Sequence, residues 1–169
     1  AFAPQTDQWT GRLDFTLDKQ LRAQRPLAVR AAENTIPVAL TGPAPKYTWG
    51  LNDRFYPYRD PYWVEEGQRV EMVFSNPTPM GHPMHLHGHE FQIIEIDGQP
   101  LAGAMRDTVY IPKGGTCRIA FDATHPGIWA FHCHIAYHHA RGMFNVVAYR
   151  SADLSWWNPE GSSQEQLTF

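Results

Sequence analysis

The chain has 169 residues, a formal net charge of −3, 43% hydrophobic content, 14 prolines and 13 glycines, which suits one folded domain with many turns. The weak negative balance gives no reason to expect nucleic acid or an anionic membrane as partner, and no apolar run approaches the ~20 residues of a transmembrane helix. A domain of this size buries roughly 70% of its unfolded surface, so it needs no disulfide framework to hold a core.

The start Ala1-Phe2-Ala3-Pro4 has no charged stretch followed by an apolar one and is not read as a leader peptide. Arg12 to Leu17 alternates apolar and polar residues and is expected to form a strand. The prolines at 43 and 45 read as a loop or linker, which places an N-terminal strand and linker region at 1–45 and the main domain at 46–150. Within that domain Gln68 to Phe74 alternates again, and so does Thr116 to Asp122, with Cys117, Ile119 and Phe121 on one face. Glu66-Gly67, Asp97-Gly98 and Lys113-Gly114-Gly115 are turn signals between apolar runs. Short strands separated by turns point to an all-β sandwich or barrel. Ile135 to Arg141 fits a short helical turn stopped by Gly142. Residues 151–169 read as a C-terminal tail in which Trp156 and Trp157 need a surface to cover, such as a neighbouring domain.

All nine histidines lie between His82 and His139. They concentrate in His82-Pro83-Met84-His85-Leu86-His87 and in His132-Cys133-His134, which is followed by His138 and Met143. A thiolate, two imidazoles and a distant thioether are the ligand set of a blue-copper centre, and His82, Cys133, His138 and Met143 can supply it. In an extended segment alternate side chains point to opposite faces, so His132 and His134 project together while Cys133 projects the other way. His85 and His87 have the same spacing, leaving Leu86 for the opposite face. Four histidines therefore face one direction beside a separate Cys-His-His-Met set. A lone histidine is more often a hydrogen-bonded structural residue than a ligand. Eight candidate ligands in register change that balance. Structural zinc needs only four ligands and leaves the second group of histidines without a role. His89 shares the parity of His85 and His87, and either orients a ligand or makes a structural hydrogen bond. His125 reads as a loop residue, and Cys117 as a small buried hydrophobe.

These motifs resemble the C-terminal cupredoxin domain of multicopper oxidases, the family that includes laccases, cuprous oxidases and ferroxidases. The family's H-P-x-H-x-H-G matches His82 to Gly88, and its H-C-H-x-x-x-H-x-x-x-x-M matches His132 to Met143. Arg106-Asp107-Thr108 and Pro126-Gly127-Ile128-Trp129 also look like the family, and the resemblance covers roughly residues 46–150. It implies a Greek-key, cupredoxin-like β-sandwich with copper as cofactor. By the same resemblance His82, Cys133, His138 and Met143 are type 1 ligands, His85 serves the type 2 copper, and His87, His132 and His134 serve the type 3 pair.

The implied function is oxidation of a phenol or metal ion at the type 1 copper. Cys133, His132 and His134 then carry electrons to a trinuclear cluster that reduces dioxygen to water. Three-domain members carry a further pair of H-x-H motifs in an N-terminal domain. This chain has none, so it is expected to complete a type 1 site but only half of a trinuclear one, with an N-terminal cupredoxin domain in the same precursor or another subunit supplying the rest. His139 stands where many bacterial members have a proton-relaying glutamate; either it or an acid from another domain takes that part. The family also implies a periplasmic or secreted location. A stand-alone blue-copper carrier needs only the four type 1 ligands and leaves His85, His87, His132 and His134 unexplained. Nitrite reductases lack histidines on both sides of the cysteine.

Overall fold

The computed structural model describes residues 13–57 and 60–155. Within them the chain forms twelve strands, a single 3-10 turn (Pro45–Tyr47) between the first two of them, and one short α-helix. In order these are β1 (Asn34–Ala44), β2 (Thr48–Leu51), β3 (Tyr62–Val64), β4 (Arg69–Ser75), β5 (His82–Leu86), β6 (Phe91–Ile96), β7 (Gln99–Pro100), β8 (Met105–Arg106), β9 (Thr108–Ile111), β10 (Thr116–Asp122), β11 (Ile128–Cys133), α1 (Ala136–Ala140) and β12 (Phe144–Tyr149). One sheet runs β2-β1-β4-β10-β6-β7 with β8 also on β6, and the other runs β3-β12-β11-β5-β9. The chain crosses repeatedly between the sheets, as a Greek-key sandwich requires. Pairing is antiparallel except for β1 with β4 and β3 with β12.

Alternation decides which side chains fill the space between the sheets. Val70, Met72 and Phe74 of β4 and Cys117, Ile119 and Phe121 of β10 face inward from one sheet. Met84, Leu86, Val109, Ile111, Phe131 and Val147 meet them from the other. Full burial of such side chains contributes roughly 1.5–3 kcal/mol each, enough in sum to fix the register of both sheets against a one-residue slip. The three turn signals at 66–67, 97–98 and 113–114 all form turns.

Two expectations about the N-terminal half do not hold. Residues 13–17 make bends and turns instead of a strand. Thr16 donates its backbone N–H to Asp14 Oδ1 (2.7 Å), and Lys19 N–H reaches Phe15 O (2.9 Å), so local Asx-type bonding outcompetes a sheet ladder. Only Phe15 of the alternating residues is buried, while Leu13 and Leu17 are exposed. Nor do Pro43 and Pro45 form a linker ahead of the domain. Pro43 belongs to β1, which is built into the first sheet between β2 and β4. The β1–β2 register shifts between Thr41 and Ala44, and Pro43 lies inside that irregularity, where its missing N–H breaks no ladder bond. The sheet thus begins at Asn34, inside the region read as 1–45. The tryptophans at 156 and 157 lie outside the described residues.

Candidate metal centre

The two histidine motifs occupy adjacent antiparallel strands of the second sheet. β5 pairs with β11 so that Cys133 stands opposite Met84 and His132 opposite His85. With a side-chain period of two, that register sends His82, Met84 and Cys133 to the inner face and His85 and His132 to the outer one. The burial of both strands follows the same split.

On the inner face His82, Cys133 and His138 are all buried, and their donor atoms lie within 4.8 Å of one another. Cys133 Sγ is 3.7 Å from His82 Nδ1 and 3.6 Å from His138 Nδ1, with 3.0 Å between the two nitrogens. Among the described residues no other group of three or more His, Cys, Asp or Glu closes on a point in this way. His138 arrives from α1, whose first turn hangs on Ile135 O through the His138 N–H (2.9 Å). The chain then reverses at Gly142, at φ +111, where a Cβ would stand 2.6 Å from Trp49 O, so glycine alone fits. The reversal brings Met143 back under the site. Its N–H donates to His138 O (3.0 Å), its carbonyl accepts from Cys133 N–H (3.1 Å), and its side chain is buried.

Hydrogen bonds determine which nitrogen each imidazole offers. Thr78 Oγ1 donates to Asn76 Oδ1 (2.6 Å), so its lone pairs face His82 Nε2 at 2.8 Å and accept that N–H. Asn76 is anchored in turn by donating Nδ2 to the carbonyls of Met80 and Ile111. His82 Nδ1 is thereby left as a bare lone pair pointing at Cys133, the arrangement a metal ligand requires. Burial, then the neighbouring His138, pulls His82 down to about 4, and burial pushes the Cys133 thiol up to about 12. Burial also lowers His138. The site is therefore two neutral imidazoles and a protonated thiol. Displacing the thiol proton with a cation creates the His2Cys set that copper favours, and the residues fit a blue-copper ion, with Met143 tied to Cys133 and His138 through its backbone.

The outer face carries the other four histidines. His87 Nε2 and His132 Nε2 are 3.0 Å apart, the rings of His85 and His87 are centred 4.6 Å apart, and His134 lies 5.6 Å from His85 and 5.9 Å from His132. His85 Nδ1 donates to Asp107 O (2.9 Å) and His132 Nδ1 to Cys133 O (3.0 Å). Both rings thus present Nε2 outward, whereas the inner pair presents Nδ1. Burial lowers His87 and His132, with their histidine neighbours adding to the effect. His139 stacks edge-on to His132 at 5.3 Å.

His89 bonds His87 O (3.1 Å) and the Tyr149 hydroxyl (2.7 Å), so it braces the turn after β5. His125 is a loop residue whose carbonyl accepts Trp129 Nε1–H (2.8 Å). Cys117 is buried in the core, where burial pushes its thiol up. Four residues around the inner site were not legible as such in the sequence: Asn76, Thr78, Tyr47 and Trp49. Thr78 lies four residues before His82, a spacing that in a loop carries no meaning until the fold closes. Trp49 stacks on His138 (4.2 Å between centroids) and meets His82 edge-on (5.1 Å), although both are far from it in sequence.

The multicopper oxidase family profile matches residues 29–153. Over 114 residues the chain is 43% identical to the multicopper oxidase MmcO of Mycobacterium tuberculosis, an alignment covering 68% of this chain and 22% of that protein. It is 30% identical over 179 residues to Laccase-1 of Melanocarpus albomyces, covering 75% of this chain and 28% of that one. The crystal structure of McoA multicopper oxidase from Aquifex aeolicus superposes with a TM-score of 0.64 at 27% identity, over 74% of this chain and 31% of its own. The chain therefore spans between 22% and 31% of the length of these relatives. Taken with the sandwich fold and with the histidines divided between two faces of one strand pair, these likenesses show that the chain belongs to the multicopper oxidase family.

Proposed function

We propose that this chain is the type 1 copper-bearing unit of an oxidase in which His82, Cys133, His138 and Met143 hold one copper. His85, His87, His132 and His134 furnish half of a second, trinuclear site, completed by another cupredoxin domain in the same precursor or another subunit. Copper bound there supplies one-electron redox chemistry that couples oxidation of a phenol or metal ion to reduction of dioxygen to water. The observation that carries this reading is the β5–β11 register, which puts Cys133 on one face and its two neighbours on the other. From Sγ to His132 and His134 the connection is covalent and only one residue long, so the two faces are joined without a diffusive step. Thr78 holds the His82 ring with Nδ1 toward Cys133. Trp49 and the core side chains exclude water from the inner site. Either His139, edge-on to His132, or an acid from the other domain moves the proton on the outer side. A carrier limited to the inner site would leave the outer four histidines without a purpose.

Among the described residues no helix is long and apolar enough to cross a membrane. A periplasmic or secreted location is part of the same proposal and rests on the family. The test is optical. The copper-loaded chain shows the intense blue absorption of a Cu(II)–thiolate, and Cys133→Ser abolishes it because a hydroxyl cannot replace the soft, covalent ligand. Blue colour persisting in that variant rules out the assignment.

A further inference from the structure

His138, which α1 brings to the inner site, is only 1% exposed. Two aromatic residues cover it. Trp49 lies on its face and is itself wholly buried. Tyr47 stands at its outer edge, with the hydroxyl 3.5 Å from His138 Nε2, and is 47% exposed. The Tyr47 hydroxyl also points at the thioether of Met80 (3.9 Å), a residue 41% exposed. Of the two rings packed on His138, Tyr47 is therefore the one that meets solvent.

The backbone is built to put it there. Lys46 and Tyr47 both adopt left-handed conformations, at φ 63 and 59, which non-glycine residues and aromatic ones above all rarely take. Thr48 Oγ1 donates to Pro45 O (2.7 Å) and braces the turn, and Tyr47 packs edge-on to Trp49 at 5.3 Å. Strain of this kind persists where the surroundings over-determine it, commonly at functional sites.

We propose that Tyr47 is the surface port through which electrons reach the inner site, with the reductant docking against the exposed Tyr47 and Met80 side chains and never touching His138. This rests on the copper reading of the preceding subsection. One electron leaves the reductant and is taken up by the Cu(II) held by His82, Cys133 and His138, giving Cu(I). Tyr47 keeps its phenolic proton and is unchanged, because its ring serves only as the electronic contact between donor and imidazole. With a hydroquinone as reductant, the proton lost on oxidation passes to solvent.

The bland alternative is that Tyr47 merely covers His138. Tyr47→Leu separates the two, since leucine keeps apolar bulk over the imidazole but removes the π system. The measurement is anaerobic stopped-flow bleaching of the blue band of the copper-loaded chain by hydroquinone, with the reduction potential of each variant determined alongside. Tyr47→Phe, which retains the ring, stays within about twofold of the parent rate, and Tyr47→Leu slows by about tenfold or more with the blue band and potential unmoved. A Tyr47→Leu chain that bleaches as fast as the parent overturns the proposal. Should Tyr47→Leu lose the blue band, Tyr47→Met, with a long flexible side chain and no ring, is read in the same way. A parent chain that never turns blue overturns the copper reading and this one with it, whereas a blue parent with an indifferent Tyr47→Leu overturns this one alone.

Discussion

Thr78→Val tests the hydrogen-bond chain that orients His82. Valine is close to threonine in shape, so the change deletes one hydroxyl and little else. Asn76 Oδ1 loses the 2.6 Å donor but keeps the Thr78 backbone N–H at 3.0 Å, and its own Nδ2 bonds hold the loop in place. The damage falls on His82, whose Nε2–H loses its 2.8 Å acceptor in a site with no solvent access. A buried donor left unsatisfied costs about 1–3 kcal/mol. The ring has one escape, to move its proton to Nδ1, which faces His138 Nδ1 at 3.0 Å. That recovers part of the stability but puts the proton where a metal must bind. By either route copper affinity falls, by about 10–100-fold, while the cost to the metal-free protein lies anywhere up to the full penalty. Copper competition titration and urea denaturation of the apoprotein measure the two, and nitrogen chemical shifts of His82 report the tautomer. Thr78→Ser, which keeps the hydroxyl, restores the affinity. Unchanged affinity in Thr78→Val would refute the argument that Thr78 sets the tautomer.

Met143→Leu keeps a buried side chain of similar volume and so costs under about 1.5 kcal/mol; the copper-loaded variant stays blue and its potential rises, and a lowered potential counts against Met143 as the axial ligand. The apoprotein loses stability on the acid side because His82 is held at about 4 against an ordinary 6.5, so the unfolded chain binds the extra proton first. The His82 contribution is full above pH 6.5 and falls by about 3 kcal/mol as the pH drops toward 4, and the other histidines that burial lowers act in the same direction. On the alkaline side the Cys133 thiol, held at about 12 against an ordinary 9, makes stability decline as pH rises above 9; Cys133→Ser makes that decline shallower and leaves the part due to Cys117, whose thiol burial also pushes up. Urea midpoints across the pH range check both arms, and a flat profile from pH 4 to 6.5 contradicts the neutral, dry state of His82.

The division of the candidate ligands into two sets was determined by the sequence alone. A strand's side-chain period is two whatever surrounds it, so His132-Cys133-His134 and His85-Leu86-His87 must each split between opposite faces once extended. The β4 and β10 strands, the glycine turns and the short helix stopped by Gly142 were legible for the same reason, being set by local pattern and turn chemistry. Residues 13–17 show where that reasoning fails, because their alternation competed with a side-chain bond from Asp14 that periodicity does not register. Pro43 was misread because a proline interrupts a strand only where its N–H would have met a partner, and the partner's register is a tertiary fact. Only the folded structure decided that β5 lies beside β11 with His132 opposite His85, and that Thr78, Trp49 and Tyr47 close around His82 and His138. Those residues carry no spacing of their own. They matter through contacts between segments brought together by sheet pairing and core burial, and such contacts depend on the summed packing of the two sheets, which no local window of the chain contains.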